Sequence, residues 1–269
     1  MNRRAFIIGV GAAILGGCAA VPKDPEARAG FREANDPFEP LNRKVFGFNQ
    51  GLDSFLIKPV AKGYLRVVPR PARDSIRNFV SNLNEPEVFA NNVLQGQFKR
   101  AGNTMGRFLL DTTVGIGGLF DVAGHYGHHR ETGDFGQTLF VWGVPDGPYL
   151  VLPILGPSNP RDAAGLGVEA YINLYRYVVD DNQYPVLVAY GPAISGGIDE
   201  RSRWIDQLDA IQKEAVDYYA SIRSLFRQNR AAQLRGGEAP PAPEHGGFYD
   251  DPGAQTPPNA ASGAGNVSH

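Results

Sequence analysis

The sequence predicts a mainly α-helical protein interrupted by one long section rich in glycine and proline. Three observations lead there. Through most of residues 40 to 227, apolar residues recur at spacings of three and four, the period of amphipathic helices. Strand-like alternation is scarce, and no internal repeat is present. Between Asp134 and Asp162, nine of 29 residues are Gly or Pro and twelve are apolar, with no charge between Asp146 and Arg161. Glycine loosens the backbone and proline removes a donor, so this stretch forms neither a long helix nor a central strand. It is too apolar for a solvated loop, so a shell of helices or a lipid phase must cover it.

Composition narrows the function classes. The 269 residues are 42% hydrophobic and 20% charged, with a formal net charge of −2. Without Arg3 and Arg4, 24 basic residues face 28 acidic ones. That balance gives neither a nucleic-acid footprint nor a polybasic membrane anchor. The single cysteine, Cys18, excludes an intrachain disulfide framework and a cysteine metal site.

Residues 1–17 read as an export leader: a basic start at Arg3-Arg4, an apolar run from Ala5 to Gly17, and Leu15-Gly16-Gly17-Cys18 at the end. The run is too short to cross a bilayer. The Leu-Gly-Gly-Cys ending resembles the bacterial lipobox, in which the cysteine is acylated and becomes the mature N-terminus. The Arg pair also matches a twin-arginine signal, which leaves the export route open. Residues 18–34 read as a linker, 35–228 as one helical domain, and 229–269 as a disordered Pro/Gly-rich tail.

Taken in order, the domain begins with Asn35-Asp-Pro-Phe-Glu-Pro40, a turn with Pro40 placed to open a helix. Leu41, Val45, Phe48, Leu52, Phe55 and Leu56 form its apolar stripe. At about 100° per residue, Asn42, Asn49 and Asp53 share another face within about 40°. That face is either a solvated edge or a polar lining on an interior water path. Short helices follow at Val60–Val67, Ala72–Leu83, Glu87–Leu94 and Phe98–Leu110, with Asn78, Asn82, Asn84, Asn91 and Asn92 read as caps and turns. Thr113–Asp121 reads as a tight glycine turn, since it fits neither GxGxxG nor a P-loop. His125, His128 and His129 match no zinc spacing and read as a surface loop.

Beyond the central stretch, Ser158 or Asn159 caps a helix opened by Pro160 and running to about Val179. Tyr184–Ala193 is a short apolar segment. Asp199–Arg227 reads as one helix with Asp199 as N-cap and a heptad-like seam from Trp204 to Leu225. No segment has the 18 apolar residues of a membrane-spanning helix. No GxSxG elbow is present, and the paired aspartates fall in a turn and a tail, so catalysis is not expected.

Asn35-Asp36-Pro37-Phe38-Glu39-Pro40-Leu41-Asn42-Arg43, Phe46-x-Phe48-Asn49, Leu52-Asp53, Leu94-Gln95-Gly96 and Arg107-Phe108 together resemble the MlaA (VacJ) lipoproteins. The likeness is strongest in Thr112-Thr113-x-Gly115-x-Gly117-Gly118-Leu119-Phe120-Asp121 and Asp134-Phe135-Gly136-Gln137-Thr138-Leu139. It continues through Trp142-Gly143, Gly147-Pro148-Tyr149, Leu152-Pro153, Gly156-Pro157-Ser158 and Arg161-Asp162. Asp111 and Phe140 depart from the pattern.

The resemblance implies a ring of short amphipathic helices seated in the inner leaflet of the outer membrane around an amphipathic channel. It implies a periplasmic-side, lipid-anchored protein without cofactor or metal. Its partners would be phospholipids, a trimeric porin and a soluble periplasmic lipid carrier. Its role would be to remove phospholipids misplaced in the outer leaflet. On that reading Asn42, Asn49 and Asp53 line the channel, and Gly147, Pro148, Tyr149, Pro153, Gly156 and Pro157 form its rim or gate. The alternative is a lipoprotein that only scaffolds, binding porin or cell wall through Asp199–Arg227. Exposing both tails of a phospholipid, about 30 methylenes at about 0.8 kcal/mol each, costs roughly 25 kcal/mol. A protein without an energy source must therefore keep the tails covered and the headgroup wet.

Overall fold

The computed structural model describes residues 34–172 and 185–236, with positions 24 and 30. The expected leader, the expected acylation site at Cys18 and the part of the expected 229–269 tail beyond 236 lie outside the described residues. Helix α1 (Glu39–Leu52) opens with Pro40 in its first turn, where the missing donor is of no consequence. It runs through a π-helical stretch, Asp53–Ile57, directly into α2 (Lys58–Val67). The widened turn lies just ahead of Pro59, whose ring in a regular α-helix would collide with the carbonyl four residues back.

Helix α3 (Arg70–Leu94) is a single 25-residue rod, about 37 Å long, where the sequence suggested two helices with a break. Pro86 forfeits one backbone bond without ending it. Asn82, Asn91 and Asn92, read above as caps and turns, are buried along its sides. Asn82 reaches Thr112 Oγ1 at 2.9 Å and Asn91 accepts from Thr138 Oγ1 at 2.9 Å. Tertiary partners for these amides override local capping preference.

Three residues turn α3 into α4 (Phe98–Thr113), and the two helices pack together. The glycine turn closes α4: Gly117 N–H donates to the Thr112 carbonyl (2.9 Å) and Gly118 N–H to that of Asp111 (2.7 Å). Gly118 has φ +88°, and a Cβ there would stand 2.4 Å from Asn82 Cβ, so α3 passes close only because the position is glycine. One-turn α5 (Val122–His125) and α6 (Phe135–Val141) start on aspartate caps, Asp121 and Asp134.

A two-stranded antiparallel hairpin follows, β1 (Leu150–Leu152) and β2 (Gly156–Ser158), with Val151 opposite Pro157. Asn159 accepts from Asp162 N–H at 2.9 Å, capping α7 (Pro160–Ile172) as the sequence suggested. The apolar segment around Pro192 is the start of a longer helix, α8 (Pro185–Arg203).

The single helix expected over Asp199–Arg227 is three pieces: the end of α8, then α9 (Ile205–Glu214) and α10 (Tyr218–Leu234). Asp199 lies inside α8, buried against Arg77, and Asp217 does the capping, accepting from Ala220 N–H at 3.2 Å. Asp217 with an extended Ala215 ends the helical run locally, which an apolar spacing of four and three cannot register.

Polarity is distributed inside out. Among the described residues, seven hydrophobic side chains are buried, three of them alanine, against eighteen polar or charged ones. Twenty-nine large hydrophobics are exposed, including Phe55 (87%) and Phe98 (72%). A water-bathed domain arranges these classes the other way round. One small apolar cluster, Tyr149, Val151 and Tyr219 with Val45, Phe46 and Phe226, joins α1, β1 and α10. Among the described residues no helix is long and apolar enough to cross a membrane.

Ion pairs occupy the place of a core. Arg107, 1% exposed, donates to Asp121 (2.8 Å), Glu85 (3.3 Å), Asp111 (3.3 Å) and the His128 carbonyl. Replacing Arg107 with Met strands three carboxylates and should cost about 3–5 kcal/mol. The expected result is a thermal midpoint lowered by on the order of 10 °C in detergent; an unchanged midpoint would show the network to be dispensable.

Candidate functional site: polar cavities along one helix, flanked by a hairpin

A polar stripe on α3 recurs at four- and three-residue steps, Arg77, Ser81 and Asn84, with Glu85 beside it. It faces two adjoining cavities of about 330 and 310 Å³ that share Ser81 and Asn84. One is closed by Arg130–Asp134 and α10, the other by Pro192–Arg203 of α8. A third cavity of about 480 Å³, lined by His125, His128 and His129, meets the first at Arg130. Arg130 donates to Ser81 Oγ and Asn78 Oδ1, both at 2.8 Å, and lies 3.5 Å from Asp121. Two polar clefts thus adjoin along α3, and a third continues from Arg130 beyond the helix.

Carboxylates and guanidiniums frame these clefts. Arg77 binds Asp199 through Nε (2.8 Å) and Nη2 (3.2 Å), tying α3 to α8. Arg230 of α10 takes Asp134 and Asp162 together at 2.6–2.8 Å. Burial alone would push Asp134 up, but the Arg230 guanidinium and the Gln137 N–H hold it below the ordinary carboxylate value. Asp121 is likewise held low against burial, by Arg107 and the Gly124 N–H. Glu169 goes the other way: burial, with Glu87 and Asp134 nearby, pushes it up to about 7 although it accepts Phe135 N–H at 2.5 Å.

The residues singled out from sequence occupy the hairpin side. Asn42 donates to the Tyr149 carbonyl (3.0 Å) and accepts from Val151 N–H (3.0 Å). Asn49 donates to the Leu152 carbonyl (2.9 Å) and accepts from Ile154 N–H (2.8 Å). Each side-chain amide bonds a carbonyl and the N–H two residues on, as a neighbouring strand would. Seven residues of helix rise about 10.5 Å, and three residues of strand advance about 10 Å, so the two amides match the strand's repeat. Asp53 makes a bidentate pair with Arg201 of α8 at 2.7 and 2.8 Å.

The rim residues form the hairpin and its approach. Gly147 has φ +74°, and its carbonyl accepts from Asn35 Nδ2 at 2.7 Å. Tyr149 is buried against Tyr219 and Phe226. Pro148 is half-buried, Pro153 lies in the exposed turn, and Pro157 sits opposite Val151 with Gly156 at φ +82°. The turn presents Ile154, 68% exposed, at φ +69°, an uncommon conformation for a β-branched residue that Asn49 holds through its N–H. Among the described residues no group of His, Cys, Asp and Glu is arranged to hold a metal ion.

Sequence reasoning missed the α3 stripe. Its spacing was visible in Arg77, Ser81 and Asn84, but reading two helices with asparagine breaks divided it.

The family model of the MlaA lipoprotein matches residues 34–233. The "Intermembrane phospholipid transport system lipoprotein MlaA" of Escherichia coli (strain K12) is 33% identical over 251 residues, covering 90% of this chain and 92% of that one. The protein of that name from Haemophilus influenzae is 31% identical over 77% of this chain and 82% of that one. An uncharacterized protein of Rickettsia bellii is 38% identical over 77% and 79%. A solved structure described as "Structural basis for maintenance of bacterial outer membrane lipid asymmetry" matches with a TM-score of 0.65 and 34% identity, over 74% of this chain and 98% of that one.

The raised Glu169 gives a signed pH dependence. An unfolded glutamate titrates at ~4.3, so its folded value of about 7 makes stability fall as pH rises between these values. Glu169→Gln should flatten that decline in thermal midpoint. An equal decline in the variant would place the titration elsewhere.

Proposed function

Because this chain belongs to the MlaA lipoprotein family, we propose that it is an outer-membrane lipoprotein that transports phospholipids and so maintains the asymmetry of that membrane. The observation that carries the reading is the reversed polarity: among the described residues the buried side chains are mostly polar, while many large apolar residues face outward. A phospholipid needs both surfaces at once, hydrocarbon for its tails and hydrogen-bonding groups for its head. Acylation at Cys18 would tether the chain on the periplasmic side, and one leaflet would receive the exposed apolar belt.

In this proposal the cavities along α3 are the wet path. The Gly147–Pro157 section is its rim or gate. Asn42, Asn49 and Asp53 belong to the channel wall and act there by fixing β1 and α8. Lipid leaves the outer leaflet through this path and passes to a soluble periplasmic carrier, with a trimeric porin as the membrane partner. The protein supplies a covered route, with catalysis playing no part.

Two measurements test this. Asn49→Leu leaves the Leu152 carbonyl and Ile154 N–H without their partner, costing about 1–3 kcal/mol locally. Cells carrying it should accumulate outer-leaflet phospholipid severalfold while keeping normal protein levels; wild-type phospholipid would remove the hairpin from the route. Separately, the leaderless Cys18→Ala chain should need detergent to stay monodisperse. A monodisperse chain in plain buffer would defeat the membrane-seated reading.

A further inference from the structure

Helix α3 has a second functional face, about 130° round from the polar stripe. There Leu83, Ala90 and Leu94 meet Phe135, Val168 and Ile172 around an apolar cleft of about 230 Å³, separate from the polar clefts. The cleft opens outward, since Leu94 and Ile172 are 47% and 59% exposed. It is therefore accessible from the surface that carries such exposed apolar residues.

Two carboxylates stand in this apolar lining, Glu87 from α3 and Glu169 from α7. Glu87 has no hydrogen-bond or ion-pair partner among the described residues. It is reachable from outside, yet the protein around it strips enough water to raise its pKa, with Asp134 adding to the effect. Glu169 spends Oε1 on the Phe135 N–H and feels the Glu87 charge. Among the described residues, the cation acting on Glu169 is Arg230, which Asp134 and Asp162 engage on both sides of its guanidinium. Among the described residues, these two acids beside hydrocarbon have no cation of their own, which leaves the cleft with uncompensated negative charge.

We propose that the cleft binds a phospholipid with a primary ammonium headgroup, its acyl segment lying against Leu83, Ala90 and Ile172 and its ammonium between Glu87 and Glu169. The inference rests on the phospholipid reading above and adds a headgroup preference to it. A primary ammonium brings both a positive charge and three N–H donors. A trimethylammonium brings the charge without donors, and a glycerol head brings donors without the charge. The chemistry thus ranks phosphatidylethanolamine over phosphatidylcholine and phosphatidylglycerol.

The test uses the full chain in detergent, with native mass spectrometry against these three lipids carrying identical acyl chains. At about pH 8, above the value of about 7 to which Glu169 is pushed, phosphatidylethanolamine should be retained about tenfold better than the other two. Glu87→Gln with Glu169→Gln should erase that preference. The amide oxygen that Glu169→Gln introduces can still accept the Phe135 N–H, so α6 keeps that contact. Glu87→Gln alone breaks no hydrogen bond or ion pair among the described residues and should already reduce the preference severalfold. A preference that persists in both variants, or equal retention of all three lipids by the wild type, overturns the headgroup site and leaves the transport reading standing. Retention of none of them overturns the transport reading itself.

Discussion

Most polar side chains placed inside this body find a partner there, and the described core contains few large hydrophobic side chains to do the work instead. Arginine is a recurrent partner. Arg201 reaches Asp53 across 148 residues of sequence, Arg77 reaches Asp199 across 122, and Arg230 gathers Asp134 and Asp162. Arg223 binds Asp36 at 2.8 Å, beside the Asn42 and Tyr219 contacts to the same carboxylate. Each pair fixes the spacing of two or three elements, and the planar guanidinium adds orientation to distance. The desolvation cost of burying such pairs gives little net stability. Breaking one is nevertheless expensive, which makes the arrangement specific.

The hairpin shows the same logic at the level of backbone. Two three-residue strands cannot stand alone, and β1 would expose a free edge. Asn42 and Asn49 close that edge with amide groups carried on a helix. The match between seven helical residues and three extended ones makes α1 a template for the strand. Tyr149 and Val151 then deliver the one apolar cluster to α10, so the N-terminal helix, the hairpin and the C-terminal helix become one unit.

For function, the consequence is that α3 separates two chemistries. One face carries Arg77, Ser81 and Asn84 into a polar cleft. Another carries Leu83, Ala90 and Leu94 into an apolar cleft open to the outside. With both faces engaged, the apolar pattern of the helix is discontinuous, and Asn82 and Asn91 bond tertiary partners instead of capping. An amphiphile moving beside such a helix would meet surfaces suited to its head and its tails.

By itself the sequence determined the helical class, the proline-opened starts of α1 and α7, the Asn159 cap, the glycine turn after Thr113 and the irregular character of the central stretch. These depend on local chemistry: ring geometry, backbone freedom and caps within four residues. It also set Asn42, Asn49 and Asp53 on one face, since helical angle follows from numbering alone. Only the tertiary structure decided that the two asparagine amides serve a strand more than a hundred residues away and that α3 continues through Pro86. It likewise decided that Asp199 pairs with Arg77 and Asp217 caps α10. Those outcomes turn on which donor reaches which acceptor across the fold, and a buried amide or carboxylate takes whichever partner packing brings within about 3 Å.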